Sequence, residues 1–281
     1  MAMTVERFTD PAQVLDRAGP FLGSEPVLHN LVLTLLHTNV AHPRPGRYWC
    51  LTENTRPGGV VGVVYQSPLD FLATFTPMPD GAARAAAEAI VEDGVALPGI
   101  NGEATTASRF AGTWAELRHQ PVVPVEGQRI YELEEMVPAM GAPGHLRQAG
   151  PVDGDRRLLV AWTRAFEAEV GDCIPRRGPE EVVDRRLAAG CLWLWEHEGP
   201  ASFAGHTVPV EGVARIGPVY TPPERRRHGY GSACVAGISA VLRSRGLRCI
   251  LYTDLGNPTS NSCYRRIGYR ATAELLRYRF G

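Results

Sequence analysis

The sequence predicts an α/β (α+β) chain of two successive domains, each with helices flanking a mixed sheet. Three observations predict it. Residues 156–280 alternate helical and strand patterns in the order α-α-β-β-β-α-β-α-β, which suits one mixed sheet covered by helices. Residues 26–136 run through a similar series. Between the two, PAMGAPGHLRQAGPVDGD (138–155) is rich in Pro, Gly and Ala and has neither periodicity, so it reads as a linker. The expected division is therefore 1–140, a linker at 141–154, and 155–281. A chain of 281 residues accommodates two domains of ordinary size or one large one.

In the second half, RRLLVAWTRAFEAEVG (156–171) places Leu159, Trp162, Phe166 and Val170 at helical spacing. PEEVVDRRLAAG (179–190) opens with Pro and acids and closes on Gly, as a helix should. CLWLWEHEGPASFAGHTVPVEGVARIGPVYT reads as three short strands joined by Gly-containing turns. A helix follows with Val235, Ile238, Val241 and Leu242 on one face and Gly246 as its stop. LRCILYTDL (247–255) is a nearly unbroken apolar run, as in a buried strand. NPTSNSCYRRIG (257–268) carries Asn257 at the N-cap, Pro258 at the first helical position and Gly268 after the end. ELLRYRF (274–280) is a last strand.

The first half repeats this more loosely. PVLHNLVLTLLHT (26–38) is helical, RYWCLTE, GGVVGVVYQSP and DFLATFTPMP are strands, and DGAARAAAEAIVEDG (80–94) is a helix. NGEATTASRFAGTWAEL (101–117) occupies the place that NPTSNSCYRRIGY takes later, and QRIYELEEM (128–136) closes the series.

Composition excludes several function classes. Hydrophobic residues make up 44% and charged residues 21%, which supports a packed core rather than disorder. No apolar run is long enough to span a bilayer, and the N-terminal residues lack the basic and apolar regions of a signal peptide. Cys50, Cys173, Cys191, Cys234, Cys249 and Cys263 are scattered without a CxxC pair. No metal site and a reduced, cytoplasmic setting are expected. A net charge of −1 argues against nucleic-acid binding. The charge is uneven: residues 215–281 hold twelve arginines against Glu224, Asp254 and Glu274, a surplus of nine, leaving −10 on residues 1–214. A basic C-terminal third suits an anionic ligand; an arginine-rich surface gives the same count. The chain has no lysine, which excludes a P-loop GK[ST] site and a lysine Schiff base.

Arg226-Arg227-His228-Gly229-Tyr230-Gly231, between a strand and a helix, has the form R-x-x-G-x-G. Free N–H groups at a helix start favour anions, glycine lets phosphate oxygens approach the backbone, and successive amides there form a concave anion site. Ser232 adds a hydroxyl donor. A surface arginine turn has the same composition, and the spacing differs from the dinucleotide fingerprint. MPDGAARAAA in the first half has neither the arginines nor the paired glycines, so only the second half offers such a cradle.

VYTPPERRRHGYGSA, then a helix, then LYTDL and NPTSNSCYRRIGY, closely resembles the GCN5-related N-acetyltransferases (GNAT) over about residues 156–281. The first half resembles the degenerate copy of tandem members. The resemblance implies two tandem domains of this type, each a mixed, mostly antiparallel sheet flanked by helices. It implies that Arg226, Arg227, His228, Gly229, Tyr230, Gly231 and Ser232 hold the pyrophosphate of acetyl-CoA. Val219, Tyr220 and Thr221 would bond its pantetheine arm through the backbone before two strands splay around the thioester. Pro222 and Pro223 suit an interruption of pairing there, since proline cannot donate to a ladder. Asn261 and Tyr264, three apart on one helix face, match the residues that contact the arm and protonate the leaving thiolate. Asn257 reads as a cap, Tyr269 as core, and Cys263 as buried filler.

For a general base, Glu196, Glu198, His206 and Glu211 are candidates, each equally readable as a solvated strand or loop residue. Glu224 reads as paired with the arginines, and Trp193 and Trp195 as core. The expected function is transfer of an acetyl group from acetyl-CoA, as cosubstrate, to a small-molecule amine or peptide. No membrane partner is expected, and oligomerisation is left open. The rival readings are another acyl-CoA or acceptor, and a CoA-binding sensor without chemistry.

Overall fold

The computed structural model describes residues 3–53, 59–138, 141–150, 153–171 and 178–281. Cys173 and parts of the expected linker (139–140, 151–152) lie outside the described residues. The chain divides into two compact units. The first comprises Met1–Arg129, Asp254–Gly256 and Ala273–Gly281; the second comprises Ile130–Thr253 and Asn257–Thr272.

The first unit contains β1 (Met3–Phe8), α1 (Pro11–Ser24), α2 (Asn30–Ala41), β2 (Arg47–Glu53), β3 (Val60–Gln66), β4 (Ala73–Phe75), α3 (Asp80–Glu92), β5 (Gly99–Glu103) and α4 (Ala104–Arg118). It also takes β6 (Val122–Leu133) as far as Arg129, and β12 (Tyr269–Phe280) from Ala273. Its sheet runs β1-β2-β3-β4-β5-β12, antiparallel except for the β4–β5 pair. Alternation decides the two faces. Trp49, Leu51, Val64, Phe75 and Ile100 turn to one side, where Ala82, Ala86 and Ile90 of α3 and Phe110 and Trp114 of α4 cover them.

The second unit contains the rest of β6, β7 (His145–Gln148), α5 (Asp153–Val170), α6 (Pro179–Ala188), β8 (Leu192–Glu196), β9 (Pro200–His206), β10 (Val213–Tyr220), α7 (Tyr230–Ser244), β11 (Arg248–Asp254, up to Thr253) and α8 (Pro258–Ile267). Its sheet order is β6-β11-β10-β9-β8-β7. β10–β11 is parallel; β7–β8, β8–β9 and β9–β10 are antiparallel. Cys234, Val235, Ile238 and Leu242 of α7 recur at three- and four-residue steps and pack on Trp193, Ala204, Ala214, Ile216 and Leu251. Leu159, Val160 and Val183 of α5 and α6 cover the other face at Leu192, Leu194, Phe203 and Tyr220. Full burial of each such aliphatic side chain contributes about 1.5–3 kcal/mol.

From α5 onward, the nine elements follow the expected order. The division does not follow the expected cut. Residues 130–138 belong to the second unit and 273–281 to the first. The strand order is not the chain order, and composition along the chain carries no sign of that. The supposed linker is also structured. β7 pairs with β8 over His145–Glu196 to Gln148–Trp193. Arg147 holds Asp155 with two bonds, of 2.6 and 3.0 Å, and reaches Glu196 at 2.8 Å. That guanidinium, with the Gly150 N–H, holds the Asp155 carboxyl below the usual carboxylate range. β1 and α1 were not expected: β1 has only six residues, and α1 contains Pro20, which locally reads as a helix breaker.

Candidate functional site

The site begins where β10 leaves β11. Parallel pairing covers Val213–Arg248 to Ile216–Leu251 and stops there, although β10 continues to Tyr220 and β11 to Asp254. The antiparallel register with β9 also shifts between Ile216 and Val219. The residues explain the break. Gly217 has φ +146°, a conformation that disfavours any residue with a Cβ, and Pro218 has no N–H to donate. The interruption expected at Pro222–Pro223 therefore comes at Gly217–Pro218. From Gly217 on, the side of β10 that faced β11 forms no ladder.

An arginine holds this break. Arg186, from α6, donates Nη1 to the Gly217 carbonyl at 2.7 Å. Gly205 gives it passage, because a Cβ there would lie 3.0 Å from that nitrogen. Burial, then Arg215 and Arg185, push the Arg186 guanidinium down to about 10. The end of β10 is fixed as well. Ser202, fully buried, donates to the Tyr220 carbonyl at 2.9 Å and lies 2.9 Å from the Thr221 hydroxyl. Tyr220 packs against Trp162 and Phe203. Val219 stays half-buried opposite Ala204.

The turn after β10 leads into α7. Pro223–Arg225 form a single 3-10 turn, Arg227 takes φ +65°, and Gly229, at the N-cap, takes φ +79°. A glycine at the cap offers no side chain to the first N–H groups, and the first turn of α7 contains no acid. Those amides remain available to an anion. The two glycines differ. A Cβ on Gly229 would meet only Ala142, at 3.6 Å, so its need is backbone conformation. A Cβ on Gly231 would lie 3.1 Å from the Thr221 hydroxyl, so its need is space.

The arginines divide in the same way. Arg226 donates Nε to the Thr221 carbonyl at 2.9 Å, pairs with Glu169 at 2.5 Å and lies over the Tyr220 ring. It builds the turn. Arg225 reaches the Glu198 carbonyl at 3.2 Å. Arg227 is exposed and has no side-chain partner among the described residues. Glu224 pairs with none of the three among the described residues; Glu169 of α5, 57 positions before Arg226, takes that part. His228 is exposed and stacks on Tyr230 with ring centroids 5.5 Å apart. Tyr230 is buried and meets His197 Nδ1 at 2.7 Å, so it anchors the helix start. Ser232 is half-buried on the first turn.

α8 has the expected cap: Asn257 accepts from Ser260 N–H at 3.0 Å. Asn261 is buried with its amide engaged. Nδ2 donates to the Asn257 carbonyl at 2.7 Å, and Oδ1 accepts from the Tyr131 hydroxyl at 3.0 Å. It fastens α8 to β6 through Tyr131, which nothing in the sequence singled out. Tyr264 meets Tyr269 edge-on, with centroids 6.3 Å apart. Its hydroxyl has no hydrogen-bond partner among the described residues. Burial, then the neighbouring Cys263 thiol, push that phenol up to about 12, so it keeps its proton at neutral pH. Tyr269 is core, bonded to Ser239 at 2.7 Å. Cys263 is half-buried rather than buried.

The base candidates separate. Glu196 is engaged by Arg147. Glu198 and Glu211 occupy exposed turn positions at φ +50° and +48°. His206 is buried opposite Ile216, the last residue before the break. Its Nδ1 lies 2.9 Å from the Thr207 carbonyl, which assigns the proton of the neutral ring to Nδ1. Nε2 is buried without a partner. Burial, more than the nearby Arg186 and Arg245, lowers its pKa. Trp193 and Trp195 lie in or against the core.

The chain is similar to several known proteins. The family described as FR47-like protein matches residues 197–278. A mycothiol acetyltransferase of Cellulomonas flavigena is 39% identical over 90 residues, which is 32% of this chain and 25% of that protein. The match thus spans about a quarter of that relative's length. An acetyltransferase of the GNAT family from Colwellia psychrerythraea superposes with TM-score 0.60 at 10% identity, covering 99% of this chain and 100% of the other. A GCN5-related N-acetyltransferase from Sphaerobacter thermophilus gives TM-score 0.64 at 14% identity, over 99% and 95%. A tandem GNAT protein from the clavulanic acid biosynthesis pathway gives 0.55 at 12%, over 99% and 98%. No described helix is long and apolar enough to cross a membrane. The motif of the second half lies within the matching family's residues 197–278, and nearly the whole chain has the fold of GCN5-related N-acetyltransferases, a tandem protein among them.

Proposed function

We propose that the chain transfers an acetyl group from acetyl-CoA to an amine, and that the second unit carries the chemistry. One observation carries the reading: a single run of chain joins the break in β10 at Gly217–Pro218 to the uncapped, acid-free start of α7 at Gly229. The first offers unpaired strand backbone, as a pantetheine arm needs. The second offers amide donors, as a pyrophosphate needs.

In this reading the amides from Gly229 to Ser232, with the exposed Arg227 and His228, take the phosphates. Arg226 and Tyr230 position that turn, and Asn261 positions α8. Val219, Tyr220 and Thr221 line the arm. Acetyl-CoA supplies an activated acyl group on sulfur. The amine nitrogen forms a bond to the carbonyl carbon, and the carbon–sulfur bond breaks with its electron pair going to sulfur. Tyr264 gives its phenolic proton to that sulfur, which a hydroxyl free of internal bonds and pushed up to about 12 can do. The amine loses one proton, and His206 Nε2 is the free lone pair beside the break that can accept it first. Holding amine and thioester together supplies much of the acceleration.

Thiol release measured across a panel of amines, beside calorimetric titration with CoA, tests this. CoA binding with turnover on at least one amine is expected. CoA binding with no turnover on any amine leaves a sensor; no CoA binding removes the reading altogether.

A further inference from the structure

The first unit lacks the glycine turn, yet it contains a feature that neither packing nor the reading above uses. Five residues stand directly opposite one another across its sheet: Tyr48, Tyr65, Thr74, Asn101 and Arg277, from β2, β3, β4, β5 and β12. They lie on the face away from α3 and α4, since their neighbours Ile100, Leu276 and Tyr278 pack with those helices. All five are buried; Thr74, Asn101 and Arg277 are 7, 7 and 6% exposed.

The two ends of the row differ. At one end Tyr48 receives a bond of 2.5 Å from Asn39, which the Arg44 backbone also holds. At the other end Arg277 Nη1 and Asn101 Oδ1 are buried with no hydrogen-bond partner, and no carboxylate pairs with Arg277 among the described residues. A guanidinium more than nine-tenths buried without an acid is a costly arrangement. Its planar fork of donors matches a carboxylate. Apart from Arg277, a methionine of similar length would fill the same place without that cost.

We propose that this end of the row is a binding site for a small carboxylate, held bidentately by Arg277 and flanked by Asn101 and Thr74. Thr74 offers a hydroxyl donor and Asn101 an amide that can turn either its N–H or its oxygen to the ligand. A ligand carrying an ammonium beside its carboxylate would satisfy the Asn101 oxygen as well. The site is independent of the CoA reading, because every residue in it belongs to the first unit.

The test uses the full chain with acetate, malonate and glycine as probes, following arginine side-chain NMR signals and thermal unfolding. Saturable shifts of the Arg277 signals and a rise in Tm with at least one probe are expected. Arg277→Met removes both effects, and Arg277→Lys, which keeps charge but not the fork, raises Kd at least about tenfold. Arg277→Met without ligand is expected to unfold at the same temperature as the parent or higher, as a costly buried charge is gone. If it fails to fold, the lysine variant carries the test. No saturable response of the unmodified chain to any of the three probes overturns the proposal. So does equal binding by Arg277→Lys or Arg277→Met.

Discussion

α3 and α7 each follow a strand that has a parallel neighbour, and their first turns could hardly differ more in charge. α7 starts from Gly229 at φ +79°, without an acid and after three arginines. α3 starts from Pro79, with Asp80 in its first turn. The Pro79 carbonyl accepts from Ala82 and Ala83, and Asp80 is paired with Arg109 at 2.6 Å. A phosphate approaching α3 meets a carboxylate; one approaching α7 meets open amides. The same architecture thus presents opposite helix starts, and three or four side chains make the difference.

The sharpest way to break the comparison is to place a carboxylate at α7. Gly229→Glu should weaken CoA binding by more than about 100-fold, about 2.7 kcal/mol, because it adds charge to the cradle and a Cβ at positive φ. Unchanged affinity by calorimetry would mean that the helix start is not the phosphate site. Next in size, Tyr264→Phe should lower kcat about 100-fold with CoA affinity unchanged; equal kcat would remove Tyr264 as the acid. The pH profile sharpens this. A phenol pushed up to about 12 stays protonated below that value, so loss of the acid should appear only toward pH 12. A base with the lowered pKa of His206 places the acidic limb of kcat/KM below the ordinary 6.5. A limb above 6.5 would point away from it.

Smaller effects follow. Asn257→Ala removes the bond to Ser260 N–H and should cost about 1 kcal/mol in chemical unfolding. A loss below about 0.3 kcal/mol would mean the cap is not holding α8. The smallest is a null expected from the comparison itself. Asp80→Ala should leave CoA stoichiometry at one per chain, because removing the acid from α3 supplies neither the glycine conformation nor the arginines. A second bound equivalent would show that Asp80 alone closes the first unit to CoA.

Much of this was legible in residues that act locally. Asn257 with Pro258 marked a helix start because capping is a short-range matter. Gly229 and Gly231 marked a turn, the first because glycine suits a positive φ, the second because it leaves space beside Thr221. The order of elements from α5 to β12 followed from apolar spacing together with the Pro, Asn and Gly that mark element ends. What escaped depended on distant partners. Glu169 pairs with Arg226, Arg186 with Gly217, and Tyr131 with Asn261, and no local pattern announces them. Gly217–Pro218 was open to a local reading, since glycine and proline side by side in a strand disturb pairing, but the later proline pair drew attention away. Asn101 and Arg277 lie 176 positions apart, and only the strand register brings them opposite each other.

The placement of residues 273–281 bears on the order of synthesis. They pair with β5 from Leu275–Glu103 to Arg279–Gly99, and so supply a strand of the unit that begins at the N-terminus. Domains commonly fold as they leave the ribosome, the N-terminal one first. Here the earlier unit must wait with β5 unpaired on one side until the last strand arrives. The second unit, whose residues run no further than Thr272, can be complete before the first.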